Sequence, residues 1–297
     1  MMLHCTAERS CNLLSILRRE LRLSSTLVKQ LKQQSAFFVN GLPAFTDHPV
    51  EPGDGIDVRL AVESPGFPPE EGPLDILYED EALLAVDKPP GLLVHPTASR
   101  NTGTLANRVA CYLERTGQHC GVHTVTRLDR DTFGVCLLAK HAHIHALLGR
   151  AQADGLLQKT YRAAVAGLPA ASSGVISLPI ARRSGGSLLR EPRQDGQAAK
   201  TEYRVLACGK GASLLELLPV TGRTHQLRVH CAAMGFPILG DQQYGTPASL
   251  ALSADMSFST QQLWAYSLCL SHPLRGQSLT IISRQRPRWP EVFSFDG

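Results

Sequence analysis

The sequence predicts an α+β fold, and three observations carry that reading. Its strands come as pairs joined by short turns, not in regular alternation with helices, which disfavours a doubly wound parallel sheet. A Pro-, Gly- and Glu-rich stretch at 62–73 holds no Lys or Arg and divides a short basic segment from a longer remainder. The chain has 297 residues, 43% of them apolar and 19% charged, enough for a large core and more than one domain. The expected organisation is a small α/β domain over 1–61, a semi-rigid linker over 62–73 and a second domain over 74–297.

The formal net charge of +4 is compatible with a polyanion partner without requiring one. Eleven His add positive charge below neutral pH. Eight Cys, at 5, 11, 111, 120, 136, 208, 231 and 269, form no Cys-x-x-Cys pair, so zinc-ribbon spacing is absent. Cys136 and Cys269 lie in apolar runs and read as buried thiols. A chain of this length needs no disulfide staples, and a reducing cytoplasm is the expected compartment. Arg9, Arg18 and Arg19 interrupt any apolar leader, and no run approaches the roughly 18 apolar residues of a membrane span. The expectation is a soluble, intracellular protein with no membrane association.

Leu13, Leu14, Leu17 and Leu21 recur at helical spacing, and Ser24 or Ser25 can cap a second helix carrying Leu27, Val28 and Leu31. Arg9, Arg18, Arg19, Arg22, Lys29 and Lys32 face one acid, Glu20, over 9–32. Phe37-Phe38-Val39 reads as a strand entering an Asn40-Gly41 turn, and Pro52-Gly53-Asp54-Gly55 is a second turn before Ile56-Asp57-Val58. Two short basic helices followed by this hairpin resemble the S4 RNA-binding module over about residues 9–61. Read from residues alone, the same cations can simply solvate a helix face.

The second domain opens with Ile76-Leu77-Tyr78-Glu79 and the apolar run 82–86; Asp87-Lys88-Pro89-Pro90-Gly91 and Leu92-Leu93-Val94 then read as a turn and a short strand. Lys88 is either a phosphate contact or a turn lysine in solvent. His95 has no partner at metal-ligand spacing. Thr104 to Leu113 reads as a helix with Leu105, Val109 and Leu113 on one face.

Arg127-Leu128-Asp129-Arg130-Asp131-Thr132-Phe133-Gly134 then sets a carboxylate between two arginines, ahead of the apolar run 135–139. Cations beside Asp129 favour its ionised form, and an ionised carboxylate can serve as nucleophile or general base. A surface turn with a solvated ion pair is an equally good reading of the spacing. The motif resembles the catalytic motif of the RluA-like pseudouridine synthases of the large ribosomal subunit type, in which the Asp attacks uridine in RNA. The family usually has Ser where this chain has Phe133.

Ala142 to Leu157 reads as an amphipathic helix preceded or opened by His141, His143 and His145, whose alternate spacing suits a metal site poorly. Over 159–167, Lys159, Tyr161, Ala163 and Val165 share one face of a strand, leaving room above the Tyr161 ring for a stacked base, although a core-edge tyrosine is the commoner role. Residues 181–204, with Arg182, Arg183, Arg190, Arg193, Lys200 and Arg204, read as a flexible basic loop that grips phosphates or is merely solvated. Strands are expected over 201–207 and 214–220. Thr221-Gly222-Arg223-Thr224-His225-Gln226-Leu227-Arg228-Val229-His230 reads as a strand end, a cap at Thr221 and a short helix stopped by Gly235. Polar groups crowded at a helix start suit anion contact. Leu263-Trp264-Ala265-Tyr266 with His272-Pro273 matches a late strand pair of the family, which commonly has His in place of Trp264. Arg284, Arg286 and Arg288 extend a basic edge.

The resemblance extends through Lys88-Pro89-Pro90-Gly91, Lys159-Thr160-Tyr161 and Gly222 to His230, and Pro237-Ile238-Leu239-Gly240-Asp241 and Tyr244-Gly245 extend the match. It implies the pseudouridine synthase fold: a mixed, largely antiparallel sheet with flanking helices and a central catalytic cleft. It implies Asp129 as nucleophile, Arg228 as its ion-pair partner, and Tyr161 packed on the target base and a candidate for a late proton abstraction. Arg127, Leu227, Arg223, His225 and Lys88 are then the substrate-side residues. No cofactor or metal is expected: the chain has no dinucleotide fingerprint, phosphate-cradling glycine loop or metal spacing. The expected partner is RNA, ribosomal first and transfer RNA second, bound by a monomer. Two other readings fit the residues. A non-catalytic RNA-binding protein would release no tritium from 5-tritiated uridine. A hydrolytic nucleosidase, with Asp131 as its second carboxylate, would release free uracil.

Overall fold

The computed structural model describes residues 1–97, 101–185, 188–287, 289 and 293; Arg288 of the expected basic edge lies outside them. Near the N-terminus, β1 (Met2–Thr6) and β2 (Cys11–Asn12) lead into helices α1 (Leu13–Arg19) and α2 (Ser25–Gln33). Strands β3 (Phe37–Val39), β4 (Leu42–Pro43), β5 (Pro49–Val50) and β6 (Gly55–Arg59) follow. Asn12 caps α1 through the Ser15 amide and Ser24 caps α2 through the Leu27 amide, each removing one orphan donor. β1, β6, β3 and β4 form an antiparallel sheet in that order, and β2 pairs with β5. Asn40 (φ 48°) and Gly41 (φ 77°) take the left-handed backbone that a two-residue hairpin turn demands. The helices bury Leu13, Ile16, Leu17 and Leu31 against Phe37, Ile56 and Val58, each at most 2% exposed. Burial of each such side chain is worth about 1.5–3 kcal/mol.

Residues 62–73 hold no helix or strand, yet they are fastened along their length. Asn107 Nδ2 donates to the Pro68 carbonyl at 2.9 Å, Arg108 Nη1 to Pro73 at 3.1 Å, and the Glu70 amide to Asn107 at 3.1 Å. A proline-rich segment cannot satisfy its own carbonyls, so a neighbouring helix does so.

The remainder comprises β7 (Ile76–Glu79), β8 (Leu83–Lys88), α3 (Leu105–Arg115), β9 (His123–Thr124), β10 (Phe133–Ala139), α4 (Ala142–Ala153) and β11 (Leu157–Ala166). Next come β12 (Ser173–Ser177), β13 (Ile180–Arg182), β14 (Arg190–Pro192), β15 (Lys200–Gly209) and β16 (Ala212–Pro219). Helices α5 (Gln226–Ala233) and α6 (Pro247–Asp255) precede the hairpin β17 (Leu263–Ser271) and β18 (Ser278–Ile282). A ten-stranded sheet runs β12-β15-β16-β11-β17-β10-β8-β7, with β18 on β17 and β9 on β10. Its pairs are antiparallel except β10 with β17. β10 is buried throughout because both faces are covered: Cys136 and Leu138 pack with α3 residues, while Val135, Leu137 and Ala139 pack with Ile144 and Leu148 of α4.

Several expected elements need correction. The helix expected to reach Leu157 stops at Ala153; Gly155 (φ 72°) reverses the chain and Leu157 opens β11. The short strand at 92–94 reduces to one bridge, Leu93 to Thr104. The basic stretch 181–204 is no flexible loop, for β13 and β14 pair as a ribbon and most of its cations meet acids: Arg183 with Glu191, Arg193 with Asp195, Lys200 with Glu202, Arg204 with Glu216. Cys136 is buried as expected, whereas Cys269 is only half-buried. Helix α6 is an addition to the expected elements, although Thr246-Pro247 and Ser249 form a capping box with Pro in the first turn. Among the described residues no helix is long and apolar enough to cross a membrane.

Helix α4 meets the turn after α1, where Arg150 Nη1 reaches the Arg22 carbonyl, and His143 is buried in α4. Burial pulls His143 down to about 4, with His141 and Arg150 adding to the effect. Burial lowers His141 and His230 too. The unfolded imidazole, near 6.5, takes up its proton before the folded one does. Stability is therefore complete above about pH 6.5 and is lost as pH falls toward about 4. Urea titrations across that window are expected to show a loss on the order of 3 kcal/mol from this group. His143→Gln is expected to flatten that part of the curve; an unchanged pH dependence would contradict the assignment.

Candidate active site

The segment 127–132 enters β10 and is pinned from three sides. Leu128 is buried in the cluster under α3. Gln261 Nε2 donates to Thr132 Oγ1 at 2.7 Å, and the Thr132 amide to the Asp129 carbonyl at 3.2 Å. Lys88, fully buried, donates to the carbonyls of Pro89 (2.9 Å), Leu92 (2.8 Å) and Arg130 (2.8 Å). Neither alternative for Lys88 survives: its three protons go to backbone, so it faces neither solvent nor a phosphate. Gly134 (φ 109°) then lets β10 lie against the Ala265 carbonyl, where any Cβ would collide.

Asp129 is partly exposed at the rim of this loop, but its neighbours in sequence are not its partners. Arg130 forms a bidentate pair with Asp131, and Arg127 points into solvent. The cation comes from Arg228 on α5, whose Nη1 donates to Asp129 Oδ2 at 3.1 Å. Arg228 is itself anchored: Nε donates to Asp241 Oδ2 at 2.7 Å, and Nη2 to Asp241 Oδ1 at 2.8 Å and Gln243 Oε1 at 2.7 Å. Burial opposes the guanidinium charge, yet Asp241 and Asp129 outweigh it and hold Arg228 above the ordinary arginine value. Asp129 Oδ1 bears no hydrogen bond among the described residues and lies 4.0 Å from His225 Nε2.

Helix α5 is not capped at Thr221. Its N-cap is His225, in left-handed backbone (φ 58°), with no side-chain cap of its own. The Gln226 side chain organises the turn instead. Its Oε1 accepts from Thr221 Oγ1 (2.7 Å) and the Arg223 amide (3.0 Å); its Nε2 donates to the Lys200 carbonyl (3.0 Å). Arg223 is exposed, with Nε on the Ala198 carbonyl at 3.0 Å. Leu227 is buried in one apolar cluster with Ala163 and Val165, and Tyr161 packs against it. Burial pushes the Tyr161 phenol up, and the Asp129 charge adds to it. A phenol so placed keeps its proton at neutral pH, which suits stacking better than proton abstraction.

The structure thus brings Arg228 and His225 to Asp129, sets the Tyr161 phenol within reach of its charge, packs Tyr161 against the cluster that holds Leu227, leaves Arg127 and Arg223 at the exposed margin, and puts Lys88 behind the loop. Sequence reading gives no role to Asp241, Gln243, Tyr244 or Gln261. Asp241 and Tyr244 nevertheless fall within Pro237-Ile238-Leu239-Gly240-Asp241 and Tyr244-Gly245, which extend the family match, and Gln243 lies between them. Asp131 is engaged by Arg130 and both Asp241 oxygens by Arg228, so neither offers the second free carboxylate that two-carboxylate hydrolysis uses. The two positions that depart from the family pattern are neighbours. Phe133 and Trp264 lie opposite one another in the β10–β17 register with rings stacked at 6.2 Å, and Trp289 meets both edge-on. Trp264 Nε1 donates to Ser283 Oγ at 2.8 Å, so the departure falls in packing behind the loop.

A family model described as RNA pseudouridylate synthase matches residues 82–233. The chain is 35% identical over 268 residues to the Bacillus subtilis protein named uncharacterized RNA pseudouridine synthase YhcT, covering 89% of this chain and 86% of that one. It is 35% identical over 257 residues to the ribosomal large subunit pseudouridine synthase D of Zymomonas mobilis, covering 84% and 78%. Among solved structures, human RNA pseudouridylate synthase domain containing 1 superposes with a TM-score of 0.59 at 25% identity, covering 76% of this chain and 92% of that one.

Lys88→Met is expected to leave three buried carbonyls without donors and to lower unfolding free energy by about 2–4 kcal/mol, read by urea denaturation. A change under about 0.5 kcal/mol would show that the cradle is not structural.

Proposed function

The chain belongs to the RNA pseudouridine synthase family and isomerises uridine to pseudouridine in RNA, and on that premise we propose that Asp129 is its nucleophile. The observation that carries the assignment is the Arg228 bridge, which ties one Asp129 oxygen and leaves the other without a hydrogen bond among the described residues, with the Tyr161 phenol near enough to feel the charge. The reaction breaks the C1′–N1 bond, turns the base and rejoins it through C5. Asp129 attacks the ribose or the base; Arg228 pairs with it and orients it. Tyr161 stacks on the extruded uracil, worth about 1–3 kcal/mol, with Leu227 as its apolar neighbour. Arg127, exposed on the loop, occupies the gap left by the extruded nucleotide. Arg223 and His225 line the substrate side. Lys88 supports the loop from behind and touches no substrate. Extrusion costs a few kcal/mol in a duplex and less in a loop, so a structured loop is the target.

The N-terminal domain, 1–61, is read as an S4-like RNA-binding module, joined through 62–73 to a catalytic domain at 74–297. Its two capped helices, the Asn40-Gly41 hairpin and the exposed Arg18, Arg19, Arg22, Lys29 and Lys32 support this reading. Ribosomal RNA is the proposed substrate, in line with the name of the Zymomonas relative, and a cytoplasmic monomer the proposed working form.

Asp129→Asn is expected to cut tritium release from 5-tritiated uridine in RNA by roughly a thousandfold or more while RNA binding persists. Normal turnover, with mass spectrometry excluding reversion to Asp, would refute the role. Replacing Arg18, Arg19 and Lys29 by Gln is expected to weaken RNA binding and flatten its dependence on salt, by roughly 0.7–0.9 in the log–log slope for each phosphate no longer neutralised. Turnover at saturating RNA should hold; an unchanged slope would show that this face is merely solvated.

A further inference from the structure

The hydroxyl of Tyr244 has two polar neighbours among the described residues. The Arg190 backbone amide on β14 lies 2.8 Å away, and His225 Nδ1 lies 2.8 Å away. An amide N–H can only donate, so Tyr244 Oη accepts from Arg190. The hydroxyl then has one proton of its own, and His225 Nδ1 is the acceptor in reach. A ring nitrogen that accepts is unprotonated, so the neutral imidazole carries its hydrogen on Nε2. That nitrogen is the one 4.0 Å from Asp129 Oδ1. The same tyrosine supports the other partner of Asp129: the Arg228 guanidinium lies over its ring, 4.8 Å from the centroid.

We propose that Tyr244 is a positioning residue for the isomerisation: its hydroxyl fixes His225 as the Nε2–H tautomer, and its ring holds Arg228, so that both groups facing the Asp129 carboxylate are set by one side chain. The inference rests on Asp129 as nucleophile. It makes His225 Nε2–H, 4.0 Å from the Asp129 oxygen that Arg228 leaves free, a donor to an oxygen of the substrate held there. It also gives the β13–β14 ribbon a function. Its Arg190 amide orients the hydroxyl.

The groups facing His225 are Tyr244 and Asp241 from the turn after α5, Arg228 from α5, Arg190 from the ribbon and Asp129 from the catalytic loop. Burial lowers His225; Arg228 and Arg190 act with it, and the two carboxylates against it. The imidazole is therefore neutral at neutral pH, the state in which a tautomer exists to be chosen.

Long-range proton–nitrogen NMR of the full chain labelled on histidine nitrogen reads the tautomer without substrate, and His225→Gln assigns the signal. The Nε2–H pattern is expected, and the Nδ1–H pattern would overturn the proposal. Tyr244→Phe keeps the ring over Arg228 and removes the hydroxyl. It is expected to mix the two tautomers, lower kcat about tenfold with KM held within about twofold, and move the acid limb of the kcat profile to higher pH, since a bond that favoured neutral His225 is gone. An unchanged spectrum and acid limb in Tyr244→Phe would equally overturn it. If Tyr244→Phe does not fold, the spectrum of the unaltered protein decides alone. Failure of the Asp129 assignment is separable, because it appears as normal turnover in Asp129→Asn whatever the His225 spectrum shows.

Discussion

Everything at the site depends on Arg228 being shared between two carboxylates of unequal standing. A buried guanidinium loses several kcal/mol of hydration and is tolerated only when its donors are paired. Asp241, 1% exposed and itself accepting the amides of Gln243 and Tyr244, takes two of those donors in a planar fork. Gln243 takes another. Asp129 receives a single Nη1 contact at 3.1 Å. Asp241 thus fixes the arginine, and the arginine in turn fixes the loop carboxylate. A lysine could not do this, since one ammonium cannot span a fork and a second carboxylate in fixed geometry.

The loop owes its rigidity to the strand it enters. β10 is buried on both faces and paired antiparallel to β8 and parallel to β17, so the end of the loop is fixed by ladder hydrogen bonds as well as by packing. Gly134 permits the close approach to β17, and Phe133, Trp264 and Trp289 fill the space beside it. On the other side Lys88 converts three carbonyls that the turns leave unpaired into one fixed point. Burial pulls that ammonium down to about 8 while Asp131 and Asp129 oppose the fall. The carboxylates of the loop and the lysine beneath it therefore stabilise each other.

Signals in the sequence are legible where the deciding forces are local. Ser24 and Thr104 cap the helices they precede, Asn40-Gly41 turns the first hairpin, and the 135–139 run is a central strand. The arginine pairing is legible only through the family resemblance, because the arginines adjacent to Asp129 point elsewhere and the operative one lies 99 residues away. Lys88 is opaque for the same reason. Nothing near it in sequence shows that the Arg130 carbonyl, 42 residues on, completes its cradle. The ribbon at 180–192 is hidden because Gly and Ser among cations look like loop, while its pairing depends on the β13–β14 register and on Glu191, which meets Arg183. Thr221 has the side chain of a cap, but the Gln226 amide, reaching back from the helix, displaces it from that role.

The division of labour between the two Asp129 oxygens follows from the geometry and constrains the chemistry. A carboxylate gripped by both oxygens is well held but poor as a nucleophile, since each strong hydrogen bond stabilises the charge that must be donated. A carboxylate with no partner in a half-buried loop would sooner take a proton. Binding through Oδ2 alone meets both demands: the carboxylate has its cation, and Oδ1 stays without a hydrogen bond among the described residues. The arginine can limit itself to that single bond only because Asp241 has already taken its fork. The buried Asp241 therefore sets how the exposed Asp129 is held.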